Sequence, residues 1–436
     1  MTREEIIASI RAVLAGQMNN THLDGFGPHS RLNADLYLDS VLLLDLFLHL
    51  ELKHGLVISE DMVTGPDIET VDDLANLLAG AKTASDVAAD ASEAAVPDVH
   101  AEEFPDIKVH CFVSCLCDAV KAAGLDHRLF YFSVWDADFA VSTRHELLYH
   151  TPEISHDFFR RWFHRLYGVQ VAEWYDHSAS KQANLEKLIG LVAARRPTES
   201  VMVMLDMFHL PERENKFNQN PFPHYLMVEA TEDPEVWQVR DPDFRWEGSI
   251  ARERLLKAIA QPSVAGGYLF DRQMVTLPLA ADIRDFFLAC FISGDNPLIR
   301  SVREIVAAHF EGRAGLDVSD LKTALRELPV IAIRKWAYEH GFAYFWRALN
   351  LPNDEFLHWC DKIEELAVGL KGLHFVILRL AQTGDHAHAA DVFAALDKLD
   401  ALETAIKARL QAVFFNWCAD QGWKPASTPE YLSAAR

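Results

Sequence analysis

Three residues of the sequence belong to types that, brought together, transfer acyl groups. Cys111 lies in VHCFVSCLCDAVKAAGL (109–125), His224 opens HYLMVEAT (224–231), and Asp241 precedes a proline in RDPDF. A thiolate attacks thioesters and amides, an imidazole takes or returns the proton, and a carboxylate holds the imidazole in one tautomer. A cysteine followed at long range by a histidine and an aspartate is a chain order that such a site can use.

Each of these residues also has a structural interpretation. Cysteine is often simply buried, and Cys115 and Cys117 lie close enough in sequence to compete with Cys111. His224 is one of twenty histidines, and Asp241 could merely close a turn with the proline that follows it. The residue types alone therefore leave the nucleophile open between three cysteines.

A fourth residue, Ser40, stands where a helix is expected to begin. It follows Asp39 in LYLDSVLLLDLFLHLELKHGLVIS (36–59), in which apolar residues recur at helical spacing. A phosphodiester on such a serine would lie by the free N–H groups and the positive end of the helix dipole. A serine that only caps its helix fits the dipeptide equally well. Asp45 and Glu51 give this helix an acidic face for basic partner surfaces.

Apolar periodicity predicts the elements that position these residues. The first 82 residues predict four short helices, which begin near Thr2, Ser40, Ser59 and Thr70. Capping boxes are expected at the first and last of these, where Glu5 and Asp73 stand three residues after a threonine. Farther on, a helix follows Val109 and ends at Gly124, and three apolar runs predict strands at 201–208, 224–231 and 235–244.

The predicted fold is multi-domain. It consists of an all-α four-helix domain, a flexible acidic linker, an α+β domain and an α-helical C-terminal region, at residues 1–82, 83–106, 107–275 and 276–436. The linker is rich in Ala, Asp and Ser and has no apolar stripe.

Charge and composition exclude several classes of function. The net charge is −23, of which residues 1–82 carry −8 and residues 83–106 carry −7. Such acidity argues against a nucleic-acid partner. No apolar run is long enough to span a membrane. The N-terminus MTREE does not look like an export signal, so the six cysteines are expected to be reduced thiols in the cytoplasm.

The sequence around Ser40 and the words DIETVDDLANLL (67–78) resemble acyl and peptidyl carrier proteins over residues 1–80. In that family an aspartate precedes a serine that begins an apolar helix, as Asp39 precedes Ser40. The resemblance implies that Ser40 covalently carries a 4′-phosphopantetheine arm, which holds an acyl group as a thioester. It also implies two protein partners, a phosphopantetheinyl transferase and an acyl-loading ligase or synthetase.

A second resemblance concerns the segment around Cys111, LDMFHLPE (205–212) and PHYLMVEATEDPEVWQVRDPDF (223–244). These resemble butirosin-type carrier-protein acyltransferases, which are similar in turn to papain-like cysteine peptidases. In those families a cysteine begins a helix, a histidine opens a strand and an aspartate lies in an Asp-Pro turn one strand later. The resemblance implies a papain-like domain with Cys111 as nucleophile, His224 as base and Asp241 as the residue that orients it.

The sequence departs from that family at one point. Papain-like enzymes place an oxyanion-stabilising glutamine several residues before the cysteine, and FPDIKVH (104–110) has none. The donors that remain open are the side chain of His110, the backbone N–H of Cys111, and the amides of Asn218, Gln219 and Asn220. No metal site is expected, because Cys111 and Cys115 share a helix face but Cys117 points elsewhere. Asp206, at a strand end, is a further candidate that would more often be structural.

Together these features predict acyl transfer in secondary metabolism of the siderophore or antibiotic type. The acyl thioester on Ser40 is moved to a small-molecule amine acceptor by Cys111, His224 and Asp241. Two alternatives stay open. The larger region could be a non-catalytic platform that presents the acyl group to partner enzymes, or a cysteine hydrolase or cyclase that releases it.

Overall fold

The computed structural model describes most of the chain, in ranges separated by gaps. The described residues are 2–18, 20, 22–38, 40–54, 56, 58, 62, 68–79, 99, 108–210 and 220–423. Within them the chain has helical regions and an α+β region, which confirms the multi-domain prediction at that level. Of the predicted linker 83–106 only Val99 is described, and its side chain is fully buried in the largest core.

Three helices are described at the front of the chain. They are α1 (Arg3–Gly16), α2 (Ser40–His54) and α3 (Val71–Leu78). Thr2 with Glu5 caps α1, and Thr70 with Asp73 caps α3, each by the predicted reciprocal pair of side-chain bonds to backbone N–H groups. The apolar faces of the three helices share one core. The helix predicted at Ser59 lies outside the described residues.

The α+β region is built on one antiparallel sheet of six strands in the order β3-β8-β4-β5-β6-β7, with a separate two-stranded β1-β2 hairpin. The strands are β1 (Ala140–Val141), β2 (Leu147–Leu148), β3 (Ala172–Glu173), β4 (Glu199–Asp206), β5 (Pro223–Ala230), β6 (Val236–Asp241), β7 (Trp246–Ala251) and β8 (Gly267–Asp271). The three predicted strands correspond to β4, β5 and β6. Their apolar runs are continuous because both faces of the sheet are covered.

Four helices cover this sheet. They are α4 (Cys111–Ala122), α5 (Asp157–Tyr167), α6 (Lys181–Ala194) and α7 (Arg252–Ile259). Buried residues of α4 and α5 pack with one set of sheet side chains, and those of α6 and α7 pack with the other. Helix α4 begins at Cys111 because His110 is extended (φ −169°, ψ 109°) and its side chain accepts the N–H of Val113.

The C-terminal region is helical, as predicted. Its helices are α8 (Ala280–Cys290), α9 (Pro297–Phe310), α10 (Leu321–Ala324), α11 (Leu328–Ala332), α12 (Ala337–Leu349), α13 (Asn353–Thr383) and α14 (His386–Asp420). Their core is continuous with the α4–α5 side of the sheet. Helix α13 is long and apolar enough to cross a membrane, but 61% of its most apolar window is buried among its neighbours, as in the core helix of a soluble protein.

Buried charges join the α+β region to the C-terminal helices. Lys335 is 1% exposed, and its Nζ lies 3.0 Å from Asp136 Oδ1 and 2.6 Å from Glu403 Oε1. It also donates to the carbonyl of Trp135 at 2.7 Å. The other oxygen of Asp136 lies 2.7 Å from Lys407 Nζ. Each buried ion therefore has an opposite charge beside it, and the helices that carry them are held against the loop at Asp136.

The front helices pack against the C-terminal region through α2 and α13. Phe375 and Leu378 of α13 are buried in the core that α1, α2 and α3 share. Two ion pairs flank this contact, between Asp45 and Lys322 at 3.1 Å and between Glu51 and Arg379 at 3.2 Å. The acidic face predicted for α2 is thus paired with basic residues of the same chain.

Candidate active site

Strand pairing brings His224 and Asp241 together. Strands β5 and β6 are antiparallel neighbours, so the start of β5 lies beside the end of β6. The Nε2 atom of His224 lies 3.1 Å from both carboxylate oxygens of Asp241. Both side chains are buried, at 3% and 0% exposure, and the ring of Phe244 packs edge-on against the imidazole with centroids 5.0 Å apart. Since Asp241 engages Nε2, the other ring nitrogen is left to face a reacting partner.

Cys111 completes this group. It is the first residue of α4, it is half-buried, and it lines the same cleft as His224. Burial alone would lower the pKa of His224, but the charges of Asp241 and Cys111 and hydrogen bonds to both raise that pKa to about 10. The imidazole is therefore protonated at neutral pH, and the carboxylate of Asp241 holds this imidazolium beside the sulfur of Cys111.

Asp243 holds the chain that leads into Cys111. Its Oδ1 accepts the backbone N–H groups of Val109 and His110, at 3.2 Å and 3.0 Å, and the hydroxyl of Ser114 at 2.8 Å. One buried carboxylate thus ties the end of β6 to the first turn of α4. Sequence reasoning missed this role, although Asp243 lies two residues from Asp241.

The competing cysteines lie elsewhere. Cys115 is fully buried, its thiol contacts the carbonyl of Tyr225 at 3.8 Å, and burial raises its pKa well above the usual value. Cys117 is buried as well, 3.7 Å from the carbonyl of His127. Among the residues that line the cleft, Cys111 is the only cysteine.

Besides His224, the cleft is lined by three neutral histidines and by two basic residues, Lys108 and Arg334. Burial lowers the pKa of His110 and His150, and it lowers that of His156 to about 3. Arg334 reaches the cleft from a 3₁₀ helix of the C-terminal region (Ile333–Trp336) and is 6% exposed. No sequence signal pointed to Arg334, because its approach depends on how two distant regions pack.

The remaining candidates have different outcomes. Asp206 is a structural residue, since its carboxylate accepts from the N–H groups of Phe208 and Phe222 and from the hydroxyl of Ser263. Asn220 is exposed and outside the cleft. Asn218 and Gln219 lie outside the described residues. Of the described candidates, His110 lines the cleft with Cys111, whose backbone N–H is at the start of α4. In the part of the chain that is described, no three His, Cys, Asp or Glu side chains converge as metal ligands.

Comparison with known proteins places the larger region in a family. The DUF6005 N-terminal domain matches residues 106–275, and the DUF6005 C-terminal domain matches residues 281–430. The petrobactin synthase of Bacillus anthracis is 39% identical over 312 residues, which are 71% of this chain and 95% of that protein. That similarity lies over the C-terminal part of the chain. Because it covers 95% of the relative, too few residues of that protein remain to form a counterpart of the front helices. The chain therefore belongs to the DUF6005 family, together with the petrobactin synthase of Bacillus anthracis.

Proposed function

We propose that this protein transfers an acyl group from a thioester to an amine in siderophore biosynthesis, with Cys111 as the nucleophile. The observation that carries the proposal is that Cys111 and His224 line one cleft, while the buried Asp241 holds the imidazole protonated beside the sulfur. The similarity to a petrobactin synthase supports a biosynthetic role of this kind.

The front helices supply the place for the acyl donor in this proposal. Ser40 is the first residue of the 15-residue helix α2, a setting that suits an attached phosphodiester. When bound there, a 4′-phosphopantetheine arm would provide the thiol that holds the acyl group as a thioester. Two ion pairs, formed by Asp45 and Glu51 with basic residues of the C-terminal region, would orient helix α2 and the serine at its start.

In the first step Cys111 would attack the thioester carbonyl through its sulfur. His224 would give its proton to the sulfur that leaves as the carbon–sulfur bond of the donor breaks. The oxygen that becomes negative is stabilised by the N–H groups at the start of α4 and by the positive end of that helix. The acyl group is then held on Cys111, and His224 is neutral and able to act as a base.

In the second step an amine attacks the acyl group on Cys111. His224 takes a proton from the attacking nitrogen, the carbon–sulfur bond to Cys111 breaks, and an amide leaves. Asp241 keeps the imidazole oriented through both steps and stabilises the imidazolium that returns. The burial of His224 and Asp241 limits the access of water, which favours transfer to an amine over hydrolysis.

The test uses the full chain, modified at Ser40 by a phosphopantetheinyl transferase with acyl-coenzyme A analogues and then mixed with a panel of amines. Intact mass spectrometry follows the acyl group from Ser40 to Cys111 to the product. Cys111→Ala is expected to abolish the second adduct and the product, whereas Cys115→Ala, a buried control, retains both.

The same experiment separates the alternative functions. Acyl loss that proceeds equally without an amine would identify a hydrolase or cyclase. An acyl group that remains on the intact protein with every amine would leave the platform function in place of transfer.

A further inference from the structure

We propose that Arg334 forms a carboxylate-binding subsite beside Cys111, so that one of the two substrates of the transfer carries a carboxylate. The choice of substrate rests on the proposed function, whereas the anion site rests on the geometry of the cleft. Neither domain forms this subsite alone, because Cys111 comes from the α+β region and Arg334 from the C-terminal helices.

The contacts of Arg334 leave part of its guanidinium unused. One terminal nitrogen donates to the carbonyls of Ala137 and Asp138, at 3.1 Å and 2.9 Å, and the other donates to that of Tyr149 at 3.4 Å. A guanidinium has five N–H groups. Within the described residues the Nε–H and one terminal N–H have no protein acceptor, and no carboxylate lies within ion-pair distance. These two donors make up one edge of the planar group, which is the edge that grips a carboxylate with two bonds.

A buried cation without an opposite charge is uncommon, because its loss of hydration is not offset. Burial lowers the pKa of Arg334 to about 10, so the side chain stays charged at neutral pH. Three backbone carbonyls hold it in place, and the carboxylate of Asp138, beyond ion-pair distance, also raises its pKa. Lys335, the next residue, is held by Asp136 and Glu403, so the neighbouring ion network keeps the guanidinium at one position even before a ligand binds.

The rest of the cleft favours an anion as well. Lys108 is 4% exposed and lines the same wall as Phe244, with its Nζ 5.0 Å from the centre of that ring. Arg334 and Cys111 line the same cleft, so a ligand held by the guanidinium would lie near the sulfur. The carboxylate of Asp243 is already occupied by three donors. Asp138 also lines the cleft but makes no ion pair with Arg334, so a substrate carboxylate would find an available partner in the free edge of the guanidinium.

The first test measures anion selectivity at Cys111 without any transfer reaction. The alkylation rates of Cys111 by iodoacetate and by iodoacetamide are compared by peptide mass spectrometry in the full chain. Arg334→Gln is expected to lower the iodoacetate-to-iodoacetamide rate ratio by about tenfold or more, the size of one charge-assisted hydrogen bond. Arg334→Lys should restore part of the ratio, since the charge remains but the two-bond grip is lost.

Glu327→Gln is the matched control. Glu327 also joins the C-terminal region to Tyr149, through a 2.7 Å bond from the Tyr149 N–H, but it does not line the cleft. The ratio should stay at the wild-type value in Glu327→Gln. An unchanged ratio in Arg334→Gln would mean that Arg334 is only a structural link to the loop at 137–149, and the proposal would be wrong.

The second test identifies which substrate carries the carboxylate. Amino acid acceptors are compared with the corresponding alkylamines, and succinyl donors with butyryl donors. Arg334→Gln should raise KM for the carboxylated member of one pair only, with kcat little changed. An equal fall in kcat for every substrate would instead place Arg334 at the oxyanion and overturn the subsite. If the wild type transfers nothing, the proposed function fails, and the alkylation ratio still decides whether the anion site exists.

Discussion

The Nε2 atom of His224 lies 3.1 Å from both carboxylate oxygens of Asp241, in a site where neither side chain is more than 3% exposed. This relationship decides the charge of the imidazole. Burial alone favours the neutral ring, and the two negative groups that flank it, Asp241 and Cys111, reverse that preference. The protonation state of His224 therefore depends on its interaction with Asp241 and not on burial alone.

Asp241→Asn is expected to lower the pKa of His224 from about 10, because it removes the largest of the interactions that raise that pKa against burial. Turnover at neutral pH should fall by about 10²–10⁴-fold, the range of general acid–base catalysis. The high-pH limit of the rate profile should also move downward. Asp118→Asn, which alters a carboxylate paired with Arg240 outside the site, should leave this limit in place. An unmoved limit in Asp241→Asn would contradict the assignment.

The same pKa predicts how stability depends on pH. The pKa of His224 is higher in the folded protein, at about 10, than its ordinary value of 6.5. Its stabilising contribution is therefore complete below about pH 6.5 and is lost as the pH rises through about 10. Urea titrations of the wild type should show stability falling across this window, and Asp241→Asn should show a smaller fall. Equal slopes for the two proteins would exclude His224 as the source.

Asp243→Ala is expected to leave the N–H groups of Val109 and His110 without their acceptor, at a cost of roughly 1–3 kcal/mol for each buried group. The start of α4 should then shift, and turnover should drop with it. Asp243→Asn keeps an acceptor oxygen and should recover most of both losses. Thermal melts and turnover measured on the two variants test this. If Asn is as damaging as Ala, the charge of Asp243 and not its hydrogen bonds is what matters.

Lys335→Met is expected to destabilise the protein by roughly 3–5 kcal/mol, since it leaves Glu403 as an uncompensated buried charge and Asp136 with Lys407 as its one remaining partner in the network. Urea unfolding measures the loss. Lys362→Met removes an exposed pair with Glu365 and should cost no more than about 1 kcal/mol. Losses of similar size in the two variants would show that the buried network contributes no more than a surface pair does.

Reversing charges at the front interface should release α2. Lys322→Glu with Arg379→Glu places like charges opposite Asp45 and Glu51. Modification of Ser40 by a phosphopantetheinyl transferase is then expected to be about threefold to tenfold faster, since each exposed pair contributes no more than about 1 kcal/mol.

The control for that variant also replaces a basic residue by glutamate, but at a position away from α2. Arg313→Glu alters a residue that pairs with Glu304 and Glu311, away from α2, and should leave the modification rate unchanged. Raising the ionic strength should speed the modification of the wild type, because salt screens exposed pairs. Identical rates for the interface variant and the control would mean that the ion pairs do not restrict access to Ser40.

The sequence predicted the site residues that lie at the start or end of a helix or strand, because capping residues and apolar runs mark these boundaries. Cys111 follows a residue able to cap a helix, and β5 and β6 have apolar runs that end at His224 and Asp241. The strands β1, β2, β3, β7 and β8 were not predicted. The start of β8 depends on Gly266, where φ is +152° and an added Cβ would meet the hydroxyl of Tyr225. Such a close approach is set by tertiary packing, which leaves no periodic pattern in the sequence.

Arg334 was missed for a related reason. It is 223 positions from Cys111 in the sequence, and its short helix has no motif that marks a site. Only the continuous core of the two regions brings it to the cleft. Asp243 was missed because Asp241 and Asp243 are chemically alike, and the sequence does not reveal which carboxylate faces the imidazole and which faces α4.

The shared cleft also bears on how this family can be re-engineered. The proposed nucleophile Cys111 and its histidine come from the region matched at 106–275, whereas Arg334 comes from the region matched at 281–430. A chimaera that takes its second domain from a relative would keep Cys111 and receive different residues at the part of the cleft that Arg334 lines. In this proposal the first domain determines reactivity, through Cys111, and the second contributes to selectivity, through Arg334. Recombination at the junction near residue 278 would then offer a route to new specificities.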